Sequence, residues 1–137
     1  MPELEITSKE KSRATKPVPY DLMVLGIVMV ISGIMDTYLI IANPDYRLPV
    51  FGMKLEGPLG WYLNLVFPVI HFIIGYGVIL ARRWSYHLFM GFTIYGIISA
   101  LVNLIRLPPP HNIRTIFLVV SFLVLVYLYM RRGHFNR

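Results

Sequence analysis

The stretch Leu59–Ala81, LGWYLNLVFPVIHFIIGYGVILA, runs into Arg82-Arg83 and then into Trp84–Ile105, WSYHLFMGFTIYGIISALVNLI. Between Leu59 and Ile105 those two arginines are the only Asp, Glu, Lys or Arg side chains. The two apolar runs are 23 and 22 residues long. A helix of about 20 residues, rising ~1.5 Å per residue, crosses the ~30 Å of hydrocarbon in a bilayer. Lipid offers no hydrogen bonds to an open backbone, so continuous apolar runs of this length read as helices. Barrel strands would need segments of about 10 residues with alternating polarity, and none is present. Two spans joined by a basic pair make an antiparallel hairpin.

Two more runs lie on either side. Leu22–Ala42 contains one charge, Asp36, and Ile113–Met130 carries Arg114 only at its start. The link Asn43–Pro58 holds Pro44, Pro49, Gly52, Gly57 and Pro58, and the link Arg106–Asn112 holds Pro108, Pro109 and Pro110. Such residues mark turns. The expected fold is an all-α membrane protein, with four transmembrane helices at about 22–42, 59–81, 84–105 and 113–130 in an up-down-up-down bundle over residues 20–130. Residues 1–19 read as a polar cytoplasmic tail without fixed structure, although Thr7-Ser8-Lys9-Glu10 has capping-box spacing. Residues 131–137 read as a basic cytoplasmic tail.

Composition agrees. The chain has 137 residues, 56% hydrophobic and 15% charged, with a mean hydropathy of +0.62. Soluble domains carry about 25% charged residues. The absence of cysteine removes disulfide scaffolds, zinc ribbons and iron–sulfur clusters. A net charge of +6 and a pI near 9.8 raise nucleic acid as a partner, but the placement of the charges argues against it. With the N-terminus inside, Lys9, Lys11, Arg13, Lys16, Arg82, Arg83, Arg131, Arg132 and Arg137 fall on the cytoplasmic side. Arg47, Lys54, Arg106 and Arg114 fall outside. This bias orients a cell-membrane protein with both termini cytoplasmic. Arg82, Arg83, Arg131 and Arg132 set topology or meet anionic headgroups. Trp61 and Tyr62 suit the outer interface; Trp84, Tyr86, Tyr127 and Tyr129 suit the inner one.

Polar residues inside spans are costly and mark where to look for function. They are Asp36, Asn64, His71 and Asn103, with Arg106 at the outer edge. Asn64, Pro68, His71 and Gly75 share one helical face; so do Gly96, Ser99, Asn103 and Arg106; so do Gly26, Gly33, Asp36 and Ile40. The fourth span has no such stripe and reads as the most lipid-exposed, or as facing another protein. Ile31–Asp36 and Ile98–Asn103 are weakly alike, as two similar hairpins would be.

Two readings of the cluster stand side by side. One is an outward-facing pocket lined by Asp36, Asn64, His71, Asn103 and Arg106, holding a small polar ligand, an ion or a proton. The other is a structural core in which Asp36 pairs with Arg106 and the asparagines bond neighbouring helices. His71 has no second histidine at its depth, since His87, His111 and His134 lie at or beyond the span ends, so haem ligation is not expected. Metal ligation shared with Asp36 or Asn64 is the remaining cofactor route, a membrane redox subunit or enzyme around His71 is the further alternative, and a hydrogen-bonded core histidine is the default. No GxSxG, HExxH, P-loop or acid pair is present. No cofactor and no enzymatic activity are expected. The expected partners are the lipid bilayer and other membrane subunits or further copies of the chain.

Gly75-Tyr76-Gly77-Val78-Ile79-Leu80-Ala81-Arg82-Arg83-Trp84, together with Ile31-Ser32-Gly33, resembles a group of small prokaryotic four-helix integral membrane proteins of uncharacterised function. The resemblance covers residues 20–130 and rests on some ten positions. It implies a four-helix bundle and assigns no activity. Asp36 and His71 do not belong to its pattern.

Overall fold

The computed structural model describes residues 17–135. Four helices account for most of it: α1 (Tyr20–Ala42), α2 (Gly57–Ile79), α3 (Arg83–Arg106) and α4 (Asn112–Arg131), followed by a 3-10 turn at Arg132–His134. All four are long and apolar enough to cross a membrane, and no strand occurs among the described residues. The chain is an all-α, multi-pass membrane protein with an up-down-up-down bundle. The capping-box segment Thr7–Glu10, the basic residues of the N-terminal tail and Arg137 lie outside the described residues.

The helix ends follow local chemistry. Pro19 precedes α1, whose first turn carries Asp21, an acid where the helix dipole favours one. Pro58 opens α2, where a missing N–H costs nothing. The sequence reading runs the second span to Ala81, but α2 ends at Ile79. Ala81 turns to φ +50°, its N–H bonds to the Val78 carbonyl, and the Arg82 N–H bonds to Gly77. This is a Schellman stop, with alanine in the left-handed position where glycine is usual. The link to α3 is therefore Leu80–Arg82, and Arg83 already belongs to α3. Between α3 and α4 the Pro109–Pro110 bond is cis.

The helices pack as two hairpins, α1 on α2 and α3 on α4, with a looser seam between α2 and α3. At the α1–α2 crossing, a Cβ on Gly26 would stand 2.9 Å from the Gly75 carbonyl, and one on Gly75 would stand 2.8 Å from the Gly26 carbonyl. The backbones touch because neither residue has a side chain, as small-residue contacts in membranes allow. The main apolar core lies towards the end that holds the termini. There Leu22 and Met29 from α1, Ile74 and Val78 from α2, Phe89 from α3, Leu128 from α4 and Phe135 pack together. α4 is the least covered helix: 11% of its apolar window is buried, against 22% for α1 and α3 and 33% for α2. Lipid-facing side chains of this kind are stable only in hydrocarbon.

Candidate functional site

At the opposite end, the 43–56 loop packs against α2 and α3 and is pinned there by side chains from both. The Asn64 amide donates to the Tyr46 carbonyl at 2.7 Å and accepts from the Leu48 N–H at 3.1 Å. The Asn103 amide accepts from the Gly52 N–H at 2.6 Å and donates to the Pro49 carbonyl at 3.3 Å. Arg106 reaches the Phe51 carbonyl at 3.4 Å, and its aliphatic stem packs on Gly52. The tip is a tight turn with reciprocal Val50–Met53 backbone bonds and positive φ at Phe51 and Gly52, the geometry of a two-residue hairpin. Gly60 lies under the loop, where a Cβ would come within 2.0 Å of the Leu55 carbonyl. Each asparagine thus replaces the pairing partner that an isolated loop segment lacks.

Asp36 and His71 form the second part of the site. The His71 Nδ1 lies 2.9 Å from the Phe67 carbonyl of its own helix and 3.1 Å from Asp36 Oδ2 on α1. A ring nitrogen flanked by two oxygen acceptors carries its hydrogen, which leaves Nε2 as the acceptor of the neutral ring. Gly33, one turn before Asp36, lets α1 close onto His71 and Phe72; a Cβ there would stand 3.2 Å from the His71 Cβ. Tyr46 of the loop lies near enough to feel the Asp36 charge. Burial pushes its phenol above the ordinary value, and the nearby Asp36 carboxylate adds to the rise.

The seam between α2 and α3 is filled by rings. Phe92 meets His71 edge-on at 5.1 Å between centroids. Phe67 and Tyr95 stand 6.1 Å apart, and Phe51 from the loop tip meets Tyr95 edge-on at 5.5 Å. Large rings between two helices explain why this seam is looser than the glycine crossing of α1 and α2.

The five polar residues expected to act together therefore divide. Asp36 and His71 meet directly, while Asn64, Asn103 and Arg106 hold the loop. The Asp36–Arg106 pair of the structural reading is not formed. Asp36 sits on α1, which packs against α2, while Arg106 ends α3 and turns to the loop tip. Asn103 likewise bonds the loop and not a neighbouring helix. Among the described residues no buried side-chain nitrogen or oxygen lacks a partner, and no three His, Cys, Asp or Glu side chains gather as a metal set. Asp36 and His71 could supply two ligands at most.

At the terminal end, Asp21 Oδ2 accepts a hydrogen bond from Tyr127 at 2.6 Å and meets Arg131 Nη2 at 2.5 Å. Arg132 lies 4.6 Å over the Tyr129 ring. Arg131 and Arg132 thus have protein contacts beyond any headgroup, while Arg82 and Arg83 are exposed. Asp21 and Tyr46 have no part in the sequence reading, and Tyr127 is read there only as an inner-interface residue. A signal existed for the first: Asp21 and Arg131 are opposite charges near the same end of the first and last spans.

No protein-family model, no curated protein and no solved structure matches this chain. What the fold and site define is a class: a four-helix multi-pass membrane protein with a loop pinned over one end and a carboxyl–imidazole pair beside it.

Proposed function

We propose that the protein is a small accessory or structural subunit of a larger membrane assembly, in the cell membrane with both termini cytoplasmic. The observation that carries this reading is α4. From Phe117 to Val126 it is apolar but for Ser121, and the whole helix contributes only Ser121 and Leu128 as buried residues. Such a helix suits contact with lipid or with apolar helices of another subunit. The asparagines fit the same reading, because their bonding capacity goes into fixing this chain's own loop. The hairpin resemblance adds a four-helix scaffold and no activity. Extraction from the native membrane in mild detergent tests the proposal: a co-purifying partner supports it, and a lone monomer refutes it.

A second reading, a small-ligand or ion binding protein, is favoured by the Asp36–His71 pair. A structural bundle gains little from placing an acid and an imidazole inside a span, where both are costly. Asp36→Asn tests it: weakened or lost ligand binding with the fold intact supports the reading, and unchanged binding refutes it.

A further inference from the structure

We infer that His71 Nε2 is the hydrogen-bond acceptor of a membrane-embedded site for a lipophilic molecule carrying a ring hydroxyl, of the phenol or hydroquinone class. This inference rests on the second reading above and names its ligand chemistry.

The first step is the tautomer. Nδ1 is held by the Phe67 carbonyl and faces Asp36 Oδ2, so the acceptor of the neutral ring is Nε2. The second is access. Nε2 makes no hydrogen bond among the described residues, and it is not sealed in the interior: the His71 side chain keeps 17% of its surface accessible. The third is depth. Pro68 is the central residue of the 23-residue α2, and His71 stands three residues on, about 4.5 Å along the axis. At that depth lipid offers no donor, so an open acceptor is costly until a donor arrives. The fourth is surroundings. Phe92 lies edge-on to the imidazole, Phe67 and Tyr95 stand beside Phe92, and no Lys or Arg occurs within α2. Rings favour an aromatic visitor by edge and offset contacts. Asp36 has a defined part: its Oδ2, 3.1 Å from Nδ1, is a second oxygen beside the nitrogen that bonds Phe67, and it favours the tautomer that leaves Nε2 free to accept. Asp36 is thus a positioning residue, and His71 is the contact.

The test uses the full chain in phosphatidylcholine nanodiscs, with ¹⁵N-labelled histidine. The probes are 2-decylhydroquinone and its di-O-methyl ether, which keeps ring and tail but has no donor. The expected results are an unprotonated Nε2 on His71, a shift of that nitrogen on adding the hydroquinone, and binding about tenfold tighter than for the ether. His71→Phe, which keeps a ring but has no nitrogen, should bring the two probes to equal affinity. Asp36→Asn should narrow the gap between them without removing it. Equal binding of hydroquinone and ether to the unaltered chain overturns the inference, and this comparison decides even if His71→Phe fails to fold. If tetramethylammonium shifts the His71 signals and the hydroquinone does not, this inference fails while the wider ligand-binding reading stands. If neither does, both fail.

Discussion

Two positions show how a single side chain, or its absence, shapes this molecule. Gly60 lies so close to Leu55 that a methyl group would fall within 2.0 Å of its carbonyl oxygen. Gly60→Ala must lift the loop and should cost about 1–3 kcal/mol, the usual penalty for overpacking; a thermal unfolding series in detergent checks it. Ala81 is the opposite case. Its left-handed φ costs about 1–2 kcal/mol relative to glycine, while its buried methyl contributes about 0.8 kcal/mol. Ala81→Gly should therefore stabilise the protein by about 0.2–1.2 kcal/mol, measured in the same way. The polar candidates were visible at this scale, because Asp36, Asn64, His71 and Asn103 interrupt otherwise apolar spans. Their partners were not visible. A helical wheel gives the direction in which Asn64 points, but not that Tyr46 and Leu48 will fold back to meet it.

Among the elements, the 43–56 loop and the α1–α2 crossing invite direct tests. Asn103→Ala leaves the Gly52 N–H and the Pro49 carbonyl without protein partners, and Asn64→Ala leaves the Leu48 N–H so, because Arg47 also donates to the Tyr46 carbonyl; each should cost about 1–3 kcal/mol. Arg47 and Lys54 lie within that loop, so trypsin should cut there faster in either variant than in the parent chain. Unchanged cleavage would mean that the loop is held by other contacts. Gly75→Val should force α1 from α2, since even a Cβ meets the Gly26 carbonyl at 2.8 Å and Val30 at 2.7 Å. The expected outcome is a loss of at least about 1–3 kcal/mol, read as a lower melting temperature. Helix number and spans were legible in the sequence because they depend on length and hydropathy alone. The ends were less so. The second span appeared to reach Ala81 because alanine gives no warning of a left-handed stop.

For the molecule as a whole, the first and last helices are tied by Asp21, Tyr127 and Arg131 near the termini, while the loop occupies the other end. Tyr127→Phe and Asp21→Ala remove the same bond, and Asp21→Ala also frees Arg131. Each should cost about 1 kcal/mol, and the double variant should cost clearly less than the sum of the two, a coupling that a double-mutant cycle measures. Orientation is tested with trypsin added outside intact cells: cleavage at Arg47 or Lys54, and none at Arg82 or Arg83, agrees with cytoplasmic termini. By itself the sequence determined a four-helix membrane protein and the short set of polar residues within its spans. Both follow from the local cost of placing each residue in hydrocarbon, which needs no knowledge of neighbours. Only the tertiary structure decided which polar groups meet. That outcome depends on which helix pairs close through glycine, which stay apart behind aromatic rings, and where a loop far along the chain finds its hydrogen-bond partners.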